Sequence, residues 1–243
     1  MKILNLYCGI GGNRKLWGDE HHVTAVEYNE SIANAYKKFF PKDKVIVGDA
    51  HEFLLKHFQE FDFIWSSPPC PSHSRMRKTN SGNGERKSPH TFPDMKLYEE
   101  IIFLEHFFKG KWVVENVVPY YEYLIKPTII LNRHSIWANF NIEEIKIDSD
   151  FSILKSKRGI FNLDRIKLTK RKDQIHRNCV EPKMGKHILD CATKRGVSEL
   201  KLSKADEHNI SLKESSHEDS QISSNDETSL NNNIKGGCSK AIQ

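Results

Sequence analysis

"KILNLYCGIGG", residues 2–12, is a short, largely apolar run that passes directly into a loop with three glycines. Such a run reads as a buried strand. Glycines immediately after a strand permit a tight turn and let the backbone approach a ligand closely. The pattern is G-x-G-G, which fits a plain strand–helix turn as well as a cofactor loop. With one lysine and no small-residue cleavage site, the stretch is expected to be a first strand rather than a signal peptide, which makes a cytoplasmic location the default.

Four more runs repeat the signal: "VTAVEY" (23–28), "KVIVG" (44–48), "FDFIWS" (61–66) and "KWVVENV" (111–117). Helical patterns separate them. "SIANAYKKFF" ends at Pro41, "HEFLLKHF" makes about two turns, and "PDMKLYEEIIFLEHFF" opens on a proline suited to a first helical turn. In the last of these, Leu97, Ile101, Leu104 and Phe108 recur at helical spacing and read as core. Alternating strands and helices imply an α/β fold, a doubly wound, mostly parallel sheet with right-handed crossovers. Such sheets bind ligands beyond the carboxyl ends of their strands. Tyr7 to Gly12, Glu27, Asp49, Cys70, Glu115 and Asn116 all fall at those ends.

The 243 residues suit one α/β domain with an appendage. Residues 1–140 are expected to form the core, 141–173 a short basic linker, 174–197 a closing helical segment, and 198–243 a disordered polar tail. The tail carries five lysines against eight acids, so a net charge of +5 divides into −3 there and +8 in the body. A basic body is compatible with a polyanionic partner. No stretch approaches the roughly 20 apolar residues of a membrane span. The five cysteines (Cys8, Cys70, Cys179, Cys191, Cys238) form no C-x-x-C pair, and the histidines miss zinc-finger spacing, so neither a disulfide framework nor a structural metal is expected.

"SSPPC" (66–70) ends the fourth strand on a thiol. A proline fixes its own φ and holds the preceding residue extended, so Cys70 is delivered at a defined place, as a nucleophile requires. An ordinary turn with an inert thiol fits those three residues equally well. Glu27, ending the second strand, could accept the hydroxyls of a ribose or remain a solvated acid. Asp49, ending the third, lies where an adenine amino group could be bound, although Gly-Asp is also a common turn.

Taken in order, "LYCGIGG", "VEYN", "GDA", "SSPPC", "VVENV", "NRHSIWANF" and "RNCVEP" resemble the motif set of the cytosine-C5 methyltransferases, which use S-adenosylmethionine. The similarity covers residues 1–140 well and 174–195 loosely, and is greatest to the small phage-type members. It implies a Rossmann-like class I methyltransferase fold and a reaction in which a cysteine thiolate adds to carbon 6 of a flipped cytosine. Cys70 matches that nucleophile, Glu115 the acid at ring nitrogen 3, and Arg133 an arginine supporting the base. On the cofactor side the resemblance assigns Tyr7, the loop Cys8, Gly9, Ile10, Gly11 and Gly12, Glu27 with Tyr28, Asp49 with Ala50, Pro69 and Asn178.

After the nucleophile, "RMRKTNSGNGERK" (75–87) is basic, and Arg75, Arg77, Lys78, Arg86 and Lys87 are expected to contact phosphates. The substrate implied is double-stranded DNA, within a restriction–modification setting and in the host cytoplasm if the chain is phage-encoded. RNA is the alternative substrate, and an idle cofactor-binding module is the alternative from another class. Four positions depart from the family pattern: Asn5 replaces an aspartate, Pro71 a glutamine, and His176-Arg177 an Ile-Gly pair. Residues 141–173 are also too few for a target-recognition domain of on the order of 100 residues; they are either the linker or a reduced target-recognition region, and a recognition partner protein is expected.

Overall fold

The computed structural model describes residues 1–74, 92–145, 161–164, 166–169 and 171–194. Its strands are β1 (Lys2–Leu6), β2 (His22–Glu27), β3 (Lys44–Val47), β4 (Phe63–Ser66), β5 (Lys111–Val117), β6 (Ile129–Leu131) and β7 (His134–Ala138). Its helices are α1 (Glu30–Phe39), α2 (Ala50–His57), α3 (Lys96–Phe107), α4 (Lys172–Arg177) and α5 (Pro182–Thr193), with a 3-10 turn at Asn13–Leu16. The seven strands form one sheet in the order β3-β2-β1-β4-β5-β7-β6. β1 to β5 are parallel, and β7 runs antiparallel to both β5 and β6. This is the doubly wound, Rossmann-like sheet that the sequence leads one to expect.

The five parallel strands coincide with the five apolar runs. β6 and β7 have no counterpart among them. They form a hairpin across Asn132-Arg133, where Asn132 adopts a φ of 56°. Asparagine tolerates that left-handed geometry, so the turn is written in the sequence, but three residues of β6 are too few to read as a strand.

Alternate residues of the central strands enter opposite core layers. Ile3, Phe63 and Val113 face a layer closed by Trp17 and by Met184, Ile188 and Leu189 of α5. Leu4, Ile64 and Val114 face a second layer closed by Leu54 of α2 and by Leu97, Ile101 and Leu104 of α3. The helices start where side chains supply caps. Asn29 accepts from the Ile32 N–H at the head of α1, Asp49 from Glu52 at α2, and Glu181 from Met184 at α5, with Pro182 following.

The expected boundary at residue 140 is not where packing stops. Ile142 is buried in the first layer, and Phe161 and Leu163 are buried beside α1, with the Phe161 ring 4.4 Å from that of Phe39. Parts of the expected linker are therefore core. The basic residues Arg75, Arg77, Lys78, Arg86 and Lys87 and the tail 198–243 lie outside the described residues.

The C-terminal segment docks by close backbone approach. A Cβ on Gly185 would lie 2.3 Å from the Asn13 carbonyl oxygen, and the Gly185 carbonyl accepts from Trp17 Nε1 at 3.0 Å. Gly185→Ala should therefore be destabilising. Alanine improves helix propensity by about 1 kcal/mol, but overpacking against backbone costs about 1–3 kcal/mol. Melting curves should show a net fall of a few degrees, at roughly 2–4 °C per kcal/mol for a chain of this size. Gly48→Ala, whose Cβ meets nothing within 4 Å, should melt like the wild type.

Candidate active site

Pairing register places the site. Leu6 sits opposite Val26 and Ser66, and Ser66 opposite Val114. One residue further along each strand are Tyr7, Glu27, Ser67 and Glu115, in a row across the carboxyl edge of the sheet. A cavity of about 630 Å³ opens above them, within the roughly 300–1,000 Å³ usual for small-molecule sites. Its lining includes Tyr7, Cys8, Gly9, Ile10, Gly12, Glu27, Tyr28, Asp49, Ala50, Pro69, Cys70, Glu115 and Asn178. Residues from five strand ends and from the loop after α4 thus share one chamber.

At the β1 end, Glu27 organises the glycine loop. One carboxylate oxygen accepts from the Gly9 N–H at 3.1 Å and the other from the Asn29 N–H at 2.9 Å. Gly9 has a φ of 54°, and a Cβ there would meet nothing within 4 Å, so its missing side chain leaves open space at the cavity wall. Gly11 works differently. Its Cβ would lie 2.3 Å from the Phe40 ring and 2.9 Å from Tyr36, so this glycine lets the loop pack on α1 and does not line the cavity. Gly12 lies under the C-terminal segment, where a Cβ would come 2.3 Å from the Val180 carbonyl oxygen. That contact brings Asn178 to the cavity.

Tyr7 is held in an unusual backbone state, with a φ of 53°. Its hydroxyl donates to Glu100 Oε1 at 2.6 Å, and Ser66 donates to Glu100 Oε2 at 2.5 Å. His51 Nδ1 is 3.1 Å from the same carboxylate, which is fully buried in α3. Burial first, then the Glu100 charge, pushes the Tyr7 hydroxyl far up, so it remains a donor. Asp49 caps α2, and its carboxyl is held below the usual range by the Glu52 N–H, with Lys96 3.9 Å away adding to the effect. Tyr28 is 79% exposed at the rim, available to a planar group entering the mouth.

The thiol end is built from β4 and β5. The Cys70 carbonyl accepts from the His73 and Ser74 N–H groups, closing a turn after Pro68-Pro69. Asn116 Nδ2 donates to the Pro68 carbonyl at 3.0 Å, tying the end of β5 to that turn. Glu115 Oε1 receives His134 Nδ1 at 2.6 Å across the β5–β7 pair. Burial, then the nearby Glu115 charge, pushes the Cys70 thiol up. Cys8 and Cys179 also line the cavity. Burial drives the Cys8 thiol well up and the Cys179 thiol to about 12.

Arg133 does not reach this chamber. It lies exposed in the β6–β7 turn and is absent from the lining, whereas its neighbour His134 lines the cavity and touches Glu115. Arg133 lies in the turn before β7 begins, whereas His134 opens the strand on the same face as Ile136, the residue paired with Glu115. The sequence reading missed His134, although it stands inside the NRHSIWANF motif beside the arginine assigned there. Asn5 is fully buried and exchanges amide hydrogen bonds with Asn13, at 2.8 and 3.4 Å.

Several known proteins resemble this chain over part of its length. Among curated proteins, the Type II methyltransferase M.Bsp6I of Bacillus sp. (strain RFL6) is 27% identical over 113 residues, 44% of this chain and 36% of that protein. The chain thus spans about a third of that relative's length. A solved structure of a DNMT2 mutant from Spodoptera frugiperda is 27% identical, with a TM-score of 0.33, covering 48% of this chain and 35% of that one. A putative DNA modification methyltransferase from an Escherichia coli prophage is 19% identical, with a TM-score of 0.33, over 50% of this chain and 33% of that one. Residues 1–118 match the C-5 cytosine-specific DNA methylase family over β1 to β5 and their cavity-lining ends.

Proposed function

We propose that this protein transfers a methyl group from S-adenosylmethionine to carbon 5 of cytosine in double-stranded DNA, through a covalent bond to Cys70. The observation that carries the reading is the shared cavity: a thiol and a carboxylate at adjacent strand ends, continuous with the glycine loop and Glu27. Open space at Gly9 and the Glu27 carboxylate suit a nucleoside with free ribose hydroxyls, and Tyr28 at the rim suits its base. When bound there, the donor supplies an electrophilic methyl group on a sulfonium.

The protein's own groups then have defined tasks. Cytosine carbon 5 is a poor nucleophile, so the ring must first gain electron density. Cys70 loses its proton to solvent and its sulfur bonds to carbon 6, opening the 5,6 double bond. Glu115 gives a proton to ring nitrogen 3 as that charge develops, so the adduct is a neutral enamine. Carbon 5 takes the methyl group, a base removes the carbon 5 proton, and the reformed double bond expels Cys70 as thiolate. The Pro-Pro-Cys turn and the Asn116 tether fix where sulfur and carboxyl meet the ring. A flipped base is required, since neither group could reach a stacked one.

Specificity is expected to be short or relaxed. The basic sequence stretches 75–87 and 155–172 would supply backbone contacts that carry no sequence information, and a partner protein would supply base readout.

Two variants test the reading. Cys70→Ser should abolish methyl transfer while leaving S-adenosylmethionine affinity near the wild-type value, because sulfur acts on the base and not on the donor. Substantial activity in the serine variant would exclude the covalent route. DNA containing 5-fluorocytosine should trap an adduct on gels with the wild type alone, since fluorine cannot leave as a proton does.

Glu27→Ala should weaken S-adenosylmethionine by roughly 10- to 100-fold in calorimetry, the cost of a charge-assisted hydrogen bond together with a released Gly9. Bisulfite sequencing of host DNA and RNA from an expressing strain identifies the nucleic acid. Methylated cytosine confined to RNA would replace the DNA assignment.

A further inference from the structure

We propose that His134 is the positioning residue for Glu115: its Nδ1–H holds Oε1 of the carboxyl and restores the proton that Glu115 gives to the cytosine ring. This rests on cytosine methylation as the reaction and adds to it a source for the proton that the adduct needs.

Geometry comes first. His134 opens β7, which pairs antiparallel with β5 so that Glu115 faces Ile136 and Val117 faces His134. From that register the imidazole reaches Glu115 Oε1 at 2.6 Å, and both side chains line the cavity with Cys70. The Glu115 side chain is only 8% exposed and that of His134 28%, so the pair is shielded but opens toward the cavity. With Oε1 engaged, Oε2 is the oxygen left for a ring nitrogen.

The charged groups that bear on His134 come from two places: Glu115 lies across on β5, and Arg133 precedes it in the hairpin turn. Burial alone would push the imidazole down, and Arg133 adds in the same direction. The Glu115 charge and hydrogen bond outweigh both and raise it. An imidazolium beside Glu115 also offsets the negative charge that holds the Cys70 thiol up.

The proton balance closes. The pair holds one proton, on His134 Nδ1, beside the Glu115 carboxylate. As sulfur bonds to carbon 6, that proton passes by way of Glu115 to ring nitrogen 3, leaving neutral imidazole and a carboxylate. When Cys70 is expelled, the ring nitrogen returns the proton by way of Glu115 to His134. No other co-reactant is needed.

Because His134 is raised in the folded protein, the shared proton is present below the ordinary histidine value near 6.5 and is lost as pH rises through the higher folded value. NMR of labelled protein without substrate reads this directly. The His134 imidazole should titrate above about 6.5 in the wild type and lower in Glu115→Gln. A His134 titration that ignores Glu115→Gln would overturn the proposal.

Single-turnover methyl transfer to unmethylated genomic DNA gives the second measurement. His134→Ala should lower the transfer rate roughly 10- to 100-fold, with little change in KM for S-adenosylmethionine. His134→Arg should stay well below the wild-type rate, because guanidinium holds the carboxyl but does not give up its proton. An arginine variant with the wild-type rate would leave His134 as a holder of the carboxyl alone and overturn it as the proton's source. A wild type that shows the expected titration yet transfers no methyl group would refute the function and leave His134 assigned to Glu115.

Discussion

β1 is hydrogen-bonded in parallel to β2 on one side and β4 on the other, and the rest of the structure follows from that double pairing. Chain direction is shared, so the carboxyl ends of β1 to β5 emerge along one edge. The helix that follows β2 and the one that follows β4 then leave in opposite directions, and a crevice opens between them. Register converts that crevice into a site, because Tyr7, Glu27, Ser67 and Glu115 each lie one residue past a paired row. A one-residue slip of β5 would turn Glu115 to the other face and replace it with an apolar neighbour.

Buried polar groups hold this edge. Glu100 is fully buried and is satisfied by Tyr7, Ser66 and His51, from the ends of β1 and β4 and the start of α2. A left-handed Tyr7 costs of order 1–3 kcal/mol, which its hydrogen bond to a buried carboxylate offsets. On the other side of the loop, Arg14 and Asp43 are 3% and 2% exposed and form a two-pronged ion pair at 2.9 and 3.1 Å. Tyr36 donates to the same carboxylate at 2.8 Å. Such a pair adds little net stability, but removing one partner would strand a buried charge. Both networks fix the backbone from which the glycine loop departs.

The cavity also depends on residues distant in sequence. α5 and the loop before it close over the glycine loop because Gly12 and Gly185 present no side chain to Val180 and Asn13. Long separation and close approach together mean that the cofactor end of the cavity forms only when the C-terminal segment has docked. The thiol end is local by comparison, with β4 and β5 adjacent and the β6–β7 hairpin folding directly back on them.

The sequence alone determined the five parallel strands, the three long helices between and after them, and the strand-end residues Glu27, Asp49, Cys70 and Glu115. Those features are local: apolar runs, helical spacing, capping residues and prolines act over a few neighbours and can be read from one segment. Tertiary structure decided what depends on two segments meeting. The separation of Gly11 from Gly9, one packing on α1 and the other opening to the cavity, needed the position of Phe40. The burial of Phe161 and Leu163 within an apparently polar stretch needed α1. Most of all, the choice of His134 over Arg133 needed the β5–β7 pairing, because where the turn ends and β7 begins decides which of the two neighbours faces the carboxylate, and a sequence does not fix that boundary.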